Sequence, residues 1–217
     1  MKQPIAWQIQ AFEQLDSTQS WLCRQAEQLP SGTCILASCQ SAGLGREARS
    51  WESAPGGLYA SFLLKPERIL AELPWALCWA VLEALEQTSG LELTLKAPND
   101  LLVDGRKLAG MLIDSRILQA RPLYYVCGLG INLNQRDFGP ELAQRAVSLY
   151  QLSGRESDPA QVIEQVLGRF GAIYALLGSG RFAAEMLAAL GRRRVQIGYN
   201  GREFTSFEEY WHEHGRS

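Results

Sequence analysis

Histidine is almost absent from this 217-residue chain, and the two histidines, His212 and His214, both lie in the last six residues. A Ser-His-Asp or Cys-His catalytic group therefore has little to draw on. The cysteines are also few and scattered, odd in number and without a C-x-x-C pair: Cys23, Cys34, Cys39, Cys78 and Cys127. This spacing argues against a zinc site and indicates reduced thiols in a cytoplasmic protein. Any chemistry is expected to depend on Lys, Arg, Asp, Asn and backbone amides.

Long apolar runs and a strong charge of either sign are missing as well. No stretch reaches the ~18 apolar residues that a membrane span requires, and the N-terminus lacks the apolar core of a signal peptide. The net charge is −2, which argues against general nucleic-acid binding. A hydrophobic content of 47% is typical of a folded protein of this length with one or at most two domains. We expect a cytoplasmic protein that binds neither membranes nor nucleic acids.

The hydrophobic pattern predicts strands and helices that do not alternate strictly. Strands are predicted at 6–12, 33–38, 58–64, 91–95, 101–103, 107–113 and 123–129, and helices at 19–28, 74–88, 159–177 and 182–190. Asp104-Gly105 and Asn200-Gly201 predict tight hairpin turns. This order favours an α+β fold, a mixed β-sheet with helices packed on one side, over a doubly wound sheet.

Two segments of the N-terminal half combine turn-forming residues with residue types that bind ligands. Asp16-Ser17-Thr18-Gln19 is typical of a helix cap, although its hydroxyl groups also suit a polar ligand. Residues 40–51 read QSAGLGREARSW. The glycines permit a close backbone approach, and the two arginines suit a phosphate or a carboxylate. Taken alone, this segment fits a solvated surface loop equally well.

Two later segments carry the same kind of ambiguity. Lys96-Ala97-Pro98-Asn99-Asp100 contains an Asx-turn pattern, and Lys107 follows after the predicted hairpin turn. A lysine held by hairpin partners is either an exposed strand end or a fixed cation aimed into a site. Gly128-Leu129-Gly130-Ile131-Asn132 ends a predicted strand with two glycines, which is more often a turn than a site.

In this order and spacing, the four segments resemble the biotin protein ligase family. That family carries D-S-T-N, then Q-x-x-G-R-G-R-x-G-R-x-W, then K-W-P-N-D with a later K-x-x-G, then G-x-G-I-N. The counterparts here lie at residues 16–19, 40–61, 96–112 and 128–132, and the resemblance extends over roughly residues 5–150. It implies a catalytic domain of the biotinyl/lipoyl protein ligase fold. Because few residues precede the first predicted strand, we expect a stand-alone form without a DNA-binding helix-turn-helix module.

The resemblance also implies a reaction and its participants. Biotin and ATP would be the substrates of an ATP-dependent biotin–protein ligase, which forms biotinyl-5′-AMP and transfers biotin to a lysine. The implied partner is the biotin carboxyl carrier domain of acetyl-CoA carboxylase. Mg²⁺ is expected on the phosphates and not in a side-chain cluster. The family contains monomers and homodimers, and the sequence does not choose between them.

Site residues are carried over position by position. The resemblance assigns biotin binding to Ser17, Thr18, Gln19, Gln40, Gly43, Leu44, Gly45, Arg46, Trp51 and Lys107, and ATP or adenylate binding to Arg46, Arg49, Asn99, Asp100 and Asn132. The catalytic residues would be Lys107, Arg46 and Asp100. Trp51 would be a wall of the channel for the biotin tail, and Asn132 would support the adenine pocket.

This sequence departs from the family pattern at four of these motif positions. Leu44 replaces an arginine, Ala48 a glycine, Ala97 a tryptophan and Gln19 an asparagine. Since Arg46 and Lys107 are kept, we expect an active enzyme that retains its adenylate less tightly. The alternatives are a lipoate or octanoate transferase and a biotin-binding regulatory protein with reduced catalysis.

The C-terminal segment departs further from the family. Residues 1–191 are expected to form the catalytic domain, and residues 192–217 a truncated remnant or replacement of the family's small C-terminal β domain. The tail from Ser206 is predicted to be helical, with Phe207, Tyr210 and Trp211 clustered for local packing or, less often, for a partner contact.

Overall fold

One mixed sheet runs through the fold, as seen in a computed structural model that describes residues 5–191, 194–199 and 202–214. Its strands are β1 (Gln8–Leu15), β2 (Thr33–Gln40), β3 (Leu58–Leu64), β4 (Thr94–Lys96), β5 (Asp100–Val103), β6 (Arg106–Leu118), β7 (Arg121–Ile131), β8 (Arg194–Tyr199) and β9 (Arg202–Ser206). They are ordered β1-β2-β3-β7-β6-β5-β4-β8-β9. The β1–β2 and β4–β8 pairs are parallel and the others are antiparallel. The predicted mixed sheet is confirmed.

The larger helices cover one face of this sheet. The helices are α1 (Thr18–Gln25), α2 (Leu73–Ser89), α3 (Leu149–Ser153), α4 (Pro159–Leu176), α5 (Phe182–Leu190) and α6 (Phe207–His214). Strand β3 is buried along its whole length, and its alternate side chains from Leu58 to Leu64 join α2 and α4 in the main core. The short helix α1 lies on the opposite face, where Leu22 packs with Leu63 and Val126. The prediction of helices on one side therefore describes α2 and α4 but not α1.

The hairpin turns explain where the strand predictions were accurate and where they fell short. Asp104 and Gly105 both have positive φ, 48° and 76°, as the predicted two-residue turn between β5 and β6 requires. A second such turn, at Gln119 and Ala120 (φ 49° and 61°), joins β6 to β7. Neither residue is a glycine or an asparagine, so the usual signal was missing. Strand β6 consequently continues to Leu118, past its predicted end at residue 113.

The C-terminal segment completes the sheet edge and covers α2. Strand β8 pairs with β4, and the main-chain N–H of Ala97 donates to the carbonyl of Gln196 at 2.9 Å. In α6 the ring of Phe207 lies 4.9 Å from that of Trp75, and Tyr210 lies 5.6 Å from Trp75. These aromatic side chains pack locally. The predicted turn at Asn200-Gly201 lies outside the described residues.

Within the residues that the structure describes, none of the helices combines the length and the apolar character needed to cross a membrane.

Candidate active site

A cavity of about 680 Å³ opens on the α1 face of the sheet. It brings together most of the predicted site residues: Ser17, Thr18, Gln19, Gln40, Leu44, Gly45, Arg46, Arg49, Trp51, Asn99, Asp100, Lys107 and Asn132. Gly43 is the exception. It is buried, and a Cβ placed there would overlap the Ser53 hydroxyl and the Trp51 carbonyl, so its role in the structure is to let the loop close.

Uncharged hydrogen-bonding side chains form one end of the cavity, which we call the neutral end: Thr18, Gln19, Gln40 and Ser61. The main-chain N–H of Thr18 donates to Gln40 Oε1 at 2.8 Å, and the Thr18 hydroxyl lies 2.9 Å from Ser61 Oγ. Ser61 donates to Gln19 Oε1 at 3.0 Å. Thr18, Gln19 and Ser61 are buried, and Ser17 caps α1 by accepting from the main-chain N–H of Ser20. The neutral end is therefore held rigidly by the start of α1 and by β2 and β3.

Three glycines keep the floor of the cavity free of side chains. A Cβ at Gly128 would overlap the Gln19 amide, and a Cβ at Gly110 or Gly130 would overlap the indole ring of Trp51. Gly128 and Gly130 alternate along β7 and so face the same side of the sheet. The Gly-x-Gly pattern seen in the sequence thus places the Gln19 network and the Trp51 ring side by side.

Charged side chains form the other end, which we call the charged end: Arg46, Arg49, Asp100 and Lys107. Lys107 Nζ lies 2.7 Å from Asp100 Oδ1 and 4.9 Å from the centre of the Trp51 ring. Arg46 donates to Asn99 Oδ1 at 3.0 Å. The Trp51 indole N–H is buried and has no hydrogen-bond partner among the described residues. The ion pair of Lys107 and Asp100 thus lies at the half-buried ring of Trp51. Arg46 and Arg49 line the same end of the cavity.

The glycine- and arginine-containing loop is folded over the cavity. Its base is closed by hydrogen bonds from the main-chain N–H of Gln40 to Ser53 O at 3.0 Å and from that of Trp51 to Gly43 O at 2.9 Å. A single 3-10 turn (Arg46–Ala48) lies at its tip. Arg49 is exposed there and pairs with Glu47 at 3.4 Å. The loop is a structured hairpin whose arginines remain accessible to a ligand.

Asn132 fixes the backbone around Lys107. Its side-chain amide donates to Lys107 O and to Val147 O, each at 3.2 Å. The main-chain N–H of Lys107 also donates to Arg145 O at 2.8 Å. Lys107 is thereby held at the start of β6 by two neighbouring segments, which is the rigid placement that its sequence position had suggested.

Several lining residues were missed in the sequence. Ser61 lies at the end of residues 40–61, the second segment that resembles the family, but no site role was predicted for it. Residues 138–146 supply a further wall, with Phe138, Leu142, Gln144, Arg145 and Ala146 lining the cavity. The S-x-x-Q pattern of Ser148 and Gln151 forms a capping box at the start of α3. This pattern is a local sequence signal that residues 138–146 end at a helix beside the sheet.

A model of the family described as "Biotin/lipoate A/B protein ligase family" matches residues 11–132, more than half of the chain. The chain belongs to this family. The family membership and fold that the sequence predicted are confirmed.

Relatives and solved structures agree with this assignment. The chain is 37% identical over 144 residues to the bifunctional ligase/repressor BirA of Bacillus subtilis, covering 64% of this chain and 44% of that protein. It is 30% identical over 185 residues to the biotin–[acetyl-CoA-carboxylase] ligase of Paracoccus denitrificans, covering 82% and 77% of the two chains. The biotin protein ligase of Aquifex aeolicus in complex with biotin and ATP superimposes with a TM-score of 0.71 at 31% identity, covering 91% of this chain and 84% of that one. This chain spans less than half the length of the BirA proteins that it matches.

Proposed function

We propose that this protein is a biotin–protein ligase that activates biotin with ATP and transfers it to a carrier-protein lysine. The proposal rests on one observation: a single cavity joins the neutral end to the charged end across the Gly128–Gly130 floor. Two residues along a strand span about 7 Å. A ureido head at the Gln19 network would therefore place the end of a valerate chain near the Trp51 ring and Lys107.

In the first step a biotin carboxylate oxygen attacks the α-phosphorus of ATP, and the bond from that phosphorus to the pyrophosphate oxygen breaks. Two anions must approach each other, which is unfavourable unless cations are already in place. Lys107, held by Asn132 and 32% exposed, is the fixed cation for this step. Arg46 and Arg49 lie on the loop above the same cavity and would bind the phosphates.

In the second step the amine of the acceptor lysine attacks the acyl carbon, and AMP leaves. We assign Asp100 to orient the incoming lysine, because its carboxylate is the one beside Lys107 in the cavity lining. The folded loop would shield the mixed anhydride from water, which otherwise hydrolyses it. Residues 138–146, which line the same cavity, would flank the nucleotide.

Mg²⁺ would enter with the ATP phosphates, where it neutralises charge on the oxygens and orients the leaving pyrophosphate. The described residues contain no group of three His, Cys, Asp or Glu side chains that could hold a metal. Mg²⁺ is usually bound by one or two carboxylates together with phosphates and water. Asp100 and Asn99, at the charged end, fit that role.

The acceptor is proposed to be the biotin carboxyl carrier domain of acetyl-CoA carboxylase, and the compartment the cytoplasm, where the five free thiols would stay reduced. We also propose that residues 192–217 serve as a short C-terminal β element of this catalytic domain. Their strands extend the edge of the catalytic sheet next to β4, which leads directly into Asn99 and Asp100.

Two competing functions make different demands on this cavity. A lipoyl or octanoyl tail carries no N–H or C=O group that would bind at the neutral end. Competition between biotin and lipoate for binding therefore distinguishes a biotin ligase from a lipoate or octanoate transferase. A biotin-binding regulator would need no cation beside the α-phosphate. Pyrophosphate release on mixing with biotin and ATP separates that alternative, since a binder would hold biotin without releasing pyrophosphate.

The decisive experiment is biotin transfer to a carrier domain by wild type, by Lys107→Ala and by Lys65→Ala. Lys65 is a matched control outside the cavity, with its ammonium bound to the carbonyl of Glu27. Removing the fixed cation should lower the transfer rate by roughly 10²–10³-fold, the usual range for one oxyanion-stabilising group. Lys65→Ala should match wild type. Equal transfer by Lys107→Ala and wild type would refute the role given to Lys107, and no transfer by wild type would refute the function.

A further inference from the structure

Asp114 lies outside the cavity lining, yet its carboxylate contacts a buried side chain of the neutral end. It is an exposed residue of β6, directly opposite Val126 of β7. The Gln19 side-chain amide, which is only 4% exposed, donates to Asp114 Oδ2 at 2.8 Å and to the main-chain carbonyl of Val126 at 3.0 Å. A surface carboxylate is thus joined to the interior of the site.

These two contacts determine the orientation of the Gln19 amide. A carboxylate and a carbonyl oxygen only accept hydrogen bonds. Rotating the amide by half a turn would bring Gln19 Oε1 within 3.0 Å of two acceptors that have no proton to share. Gln19 Oε1 is therefore directed toward Ser61.

The orientation passes along the network to Thr18. Ser61 has one hydroxyl proton, and it donates that proton to Gln19 Oε1 at 3.0 Å. Ser61 Oγ must then accept from Thr18, 2.9 Å away, and the other partner of the Thr18 hydroxyl, Gln40 Oε1 at 3.2 Å, also only accepts. The Thr18 proton is therefore used inside the protein, and because Ser61 donates to Gln19 and not to Thr18, both lone pairs of Thr18 Oγ are left for the cavity.

Gln40 is oriented in the opposite sense. Its Oε1 accepts from the main-chain N–H of Thr18, and its Nε2 donates to Ser53 Oγ at 2.7 Å. Ser53 in turn donates to Trp51 O at 3.0 Å. One N–H of the Gln40 amide is left for the cavity, which Gln40 lines. The neutral end thus displays an acceptor beside a donor, the complement of an N–H next to a C=O.

We propose that Asp114 is a positioning residue for biotin recognition. It holds the Gln19–Ser61–Thr18 chain in one proton direction, in which Ser61 does not donate to Thr18, so that both lone pairs of Thr18 Oγ are available to a ureido N–H of the ligand. The inference rests on the proposed function, because it takes biotin as the ligand of the neutral end.

The test compares biotin affinity by calorimetry in Asp114→Asn, Asp114→Ala and Thr18→Val. Asp114→Ala removes one of the two acceptors that orient the Gln19 amide, whereas Asp114→Asn keeps one oxygen that can accept from Gln19 Nε2. We expect Asp114→Ala to weaken binding about tenfold, the scale of one hydrogen bond to a charged group, and Asp114→Asn to weaken it less. The biotin KM should rise in Asp114→Ala while kcat stays unchanged.

A double variant separates positioning from a merely structural role. Because Asp114 acts through the Thr18 hydroxyl, Asp114→Ala should cost no further affinity in a Thr18→Val background, and melting temperatures should track wild type. Glu13→Gln, which neutralises an exposed carboxylate on β1, is the charge control and should bind like wild type. Additive losses, a loss in Asp114→Asn as large as that in Asp114→Ala, or unchanged affinity in Asp114→Ala would each overturn the inference. A wild-type protein that does not bind biotin would overturn the proposed function and this inference with it.

Discussion

The two ends of the cavity are built differently. At the neutral end, Thr18, Gln19 and Ser61 are buried, and they form hydrogen bonds among themselves, with Gln40 and, through Gln19, with Asp114 and the carbonyl of Val126. At the charged end, Lys107 and Asp100 are 32% and 22% exposed, and Arg49 is 67% exposed on the loop. The neutral end therefore forms its hydrogen bonds within the protein, whereas the cations of the charged end stay partly open to solvent, as the proposed binding of phosphates requires. Under the proposed function, recognition belongs to the rigid end and chemistry to the more open one.

Filling the floor beneath the rigid end should produce the largest change in biotin affinity. In Gly128→Ala the new Cβ would overlap the Gln19 amide and displace it from Ser61. Overpacking of this kind costs about 1–3 kcal/mol, so we expect biotin affinity to fall by roughly 5-fold to 150-fold, as measured by calorimetry. Gly139→Ala is the control, because a Cβ there meets nothing within 4 Å. If Gly128→Ala bound biotin as tightly as this control, the neutral end would not be the rigid partner of the pair.

The same comparison shows what the sequence could and could not predict. The order and spacing of the four segments, through their resemblance to the family, were enough to place Ser17, Gln40, Arg46 and Lys107 in one site, although each segment was ambiguous on its own. Ser61 was missed, because its role comes from the register that sets it opposite Gly128 and below Thr18. Such pairing between distant strands has no local sequence signal.

The remaining failures have local causes. Gln119 and Ala120 form a hairpin turn without the residues that such turns usually contain. Residues 138–146 lie over the cavity because Asn132 and Lys107 bind their neighbouring backbone, and these hydrogen bonds cannot be read from composition. Helix α1 was predicted, but its position on the opposite face follows from packing with Leu63 and Val126.

Adding a cation to the loop should strengthen the charged end by a smaller amount. Leu44 lies on the arm of the loop just before its tip, 44% exposed and bridged to Ser50. In Leu44→Arg a guanidinium would join Arg46 over the cavity, and we expect release of biotinyl-5′-AMP to slow by about threefold to tenfold, as rapid filtration would measure. Because exposed charges are screened over about 8 Å at physiological salt, this gain should shrink at higher ionic strength.

Leu44→Gln is the control for that experiment, since it introduces a polar side chain without charge. It should release the adenylate at the wild-type rate. Equal rates for the arginine and glutamine variants would mean that the loop cations contribute no retention, and the charged end would then depend on Lys107 alone.

Reaction of thiols should show how closed the core beneath the rigid end is. Burial raises the pKa of Cys34 and of Cys78 to about 12 and also raises that of Cys127. Since the thiolate is the reactive form, these three cysteines should resist a disulfide reagent at pH 8 until the protein unfolds. Peptide mapping of the labelled native protein should find modification confined to the two half-buried cysteines, Cys23 and Cys39, with Cys23 slow because burial and Asp114 raise its pKa to about 11. Fast native labelling of Cys127 would contradict a closed core.

The smallest effect is expected at the surface beside the rigid end. Arg24 donates to Asp16 at 2.8 Å, and this hydrogen bond lowers the pKa of the Asp16 carboxyl below its ordinary value of 3.8. A carboxyl whose pKa is lowered by folding contributes stability above its unfolded pKa and loses it as the pH falls through the folded pKa. Asp16→Asn should therefore lower the melting temperature slightly at pH 7, by no more than about 4 °C, because exposed ion pairs are worth at most about 1 kcal/mol. The difference from wild type should shrink as the pH falls below 3.8 and vanish once the pH lies below the lowered pKa of Asp16. Biotin affinity at pH 7 should not change in Asp16→Asn, since the Thr18–Ser61–Gln19 network does not include Asp16. A loss of affinity would show that the rigidity of the neutral end depends on the surface ion pair between Arg24 and Asp16.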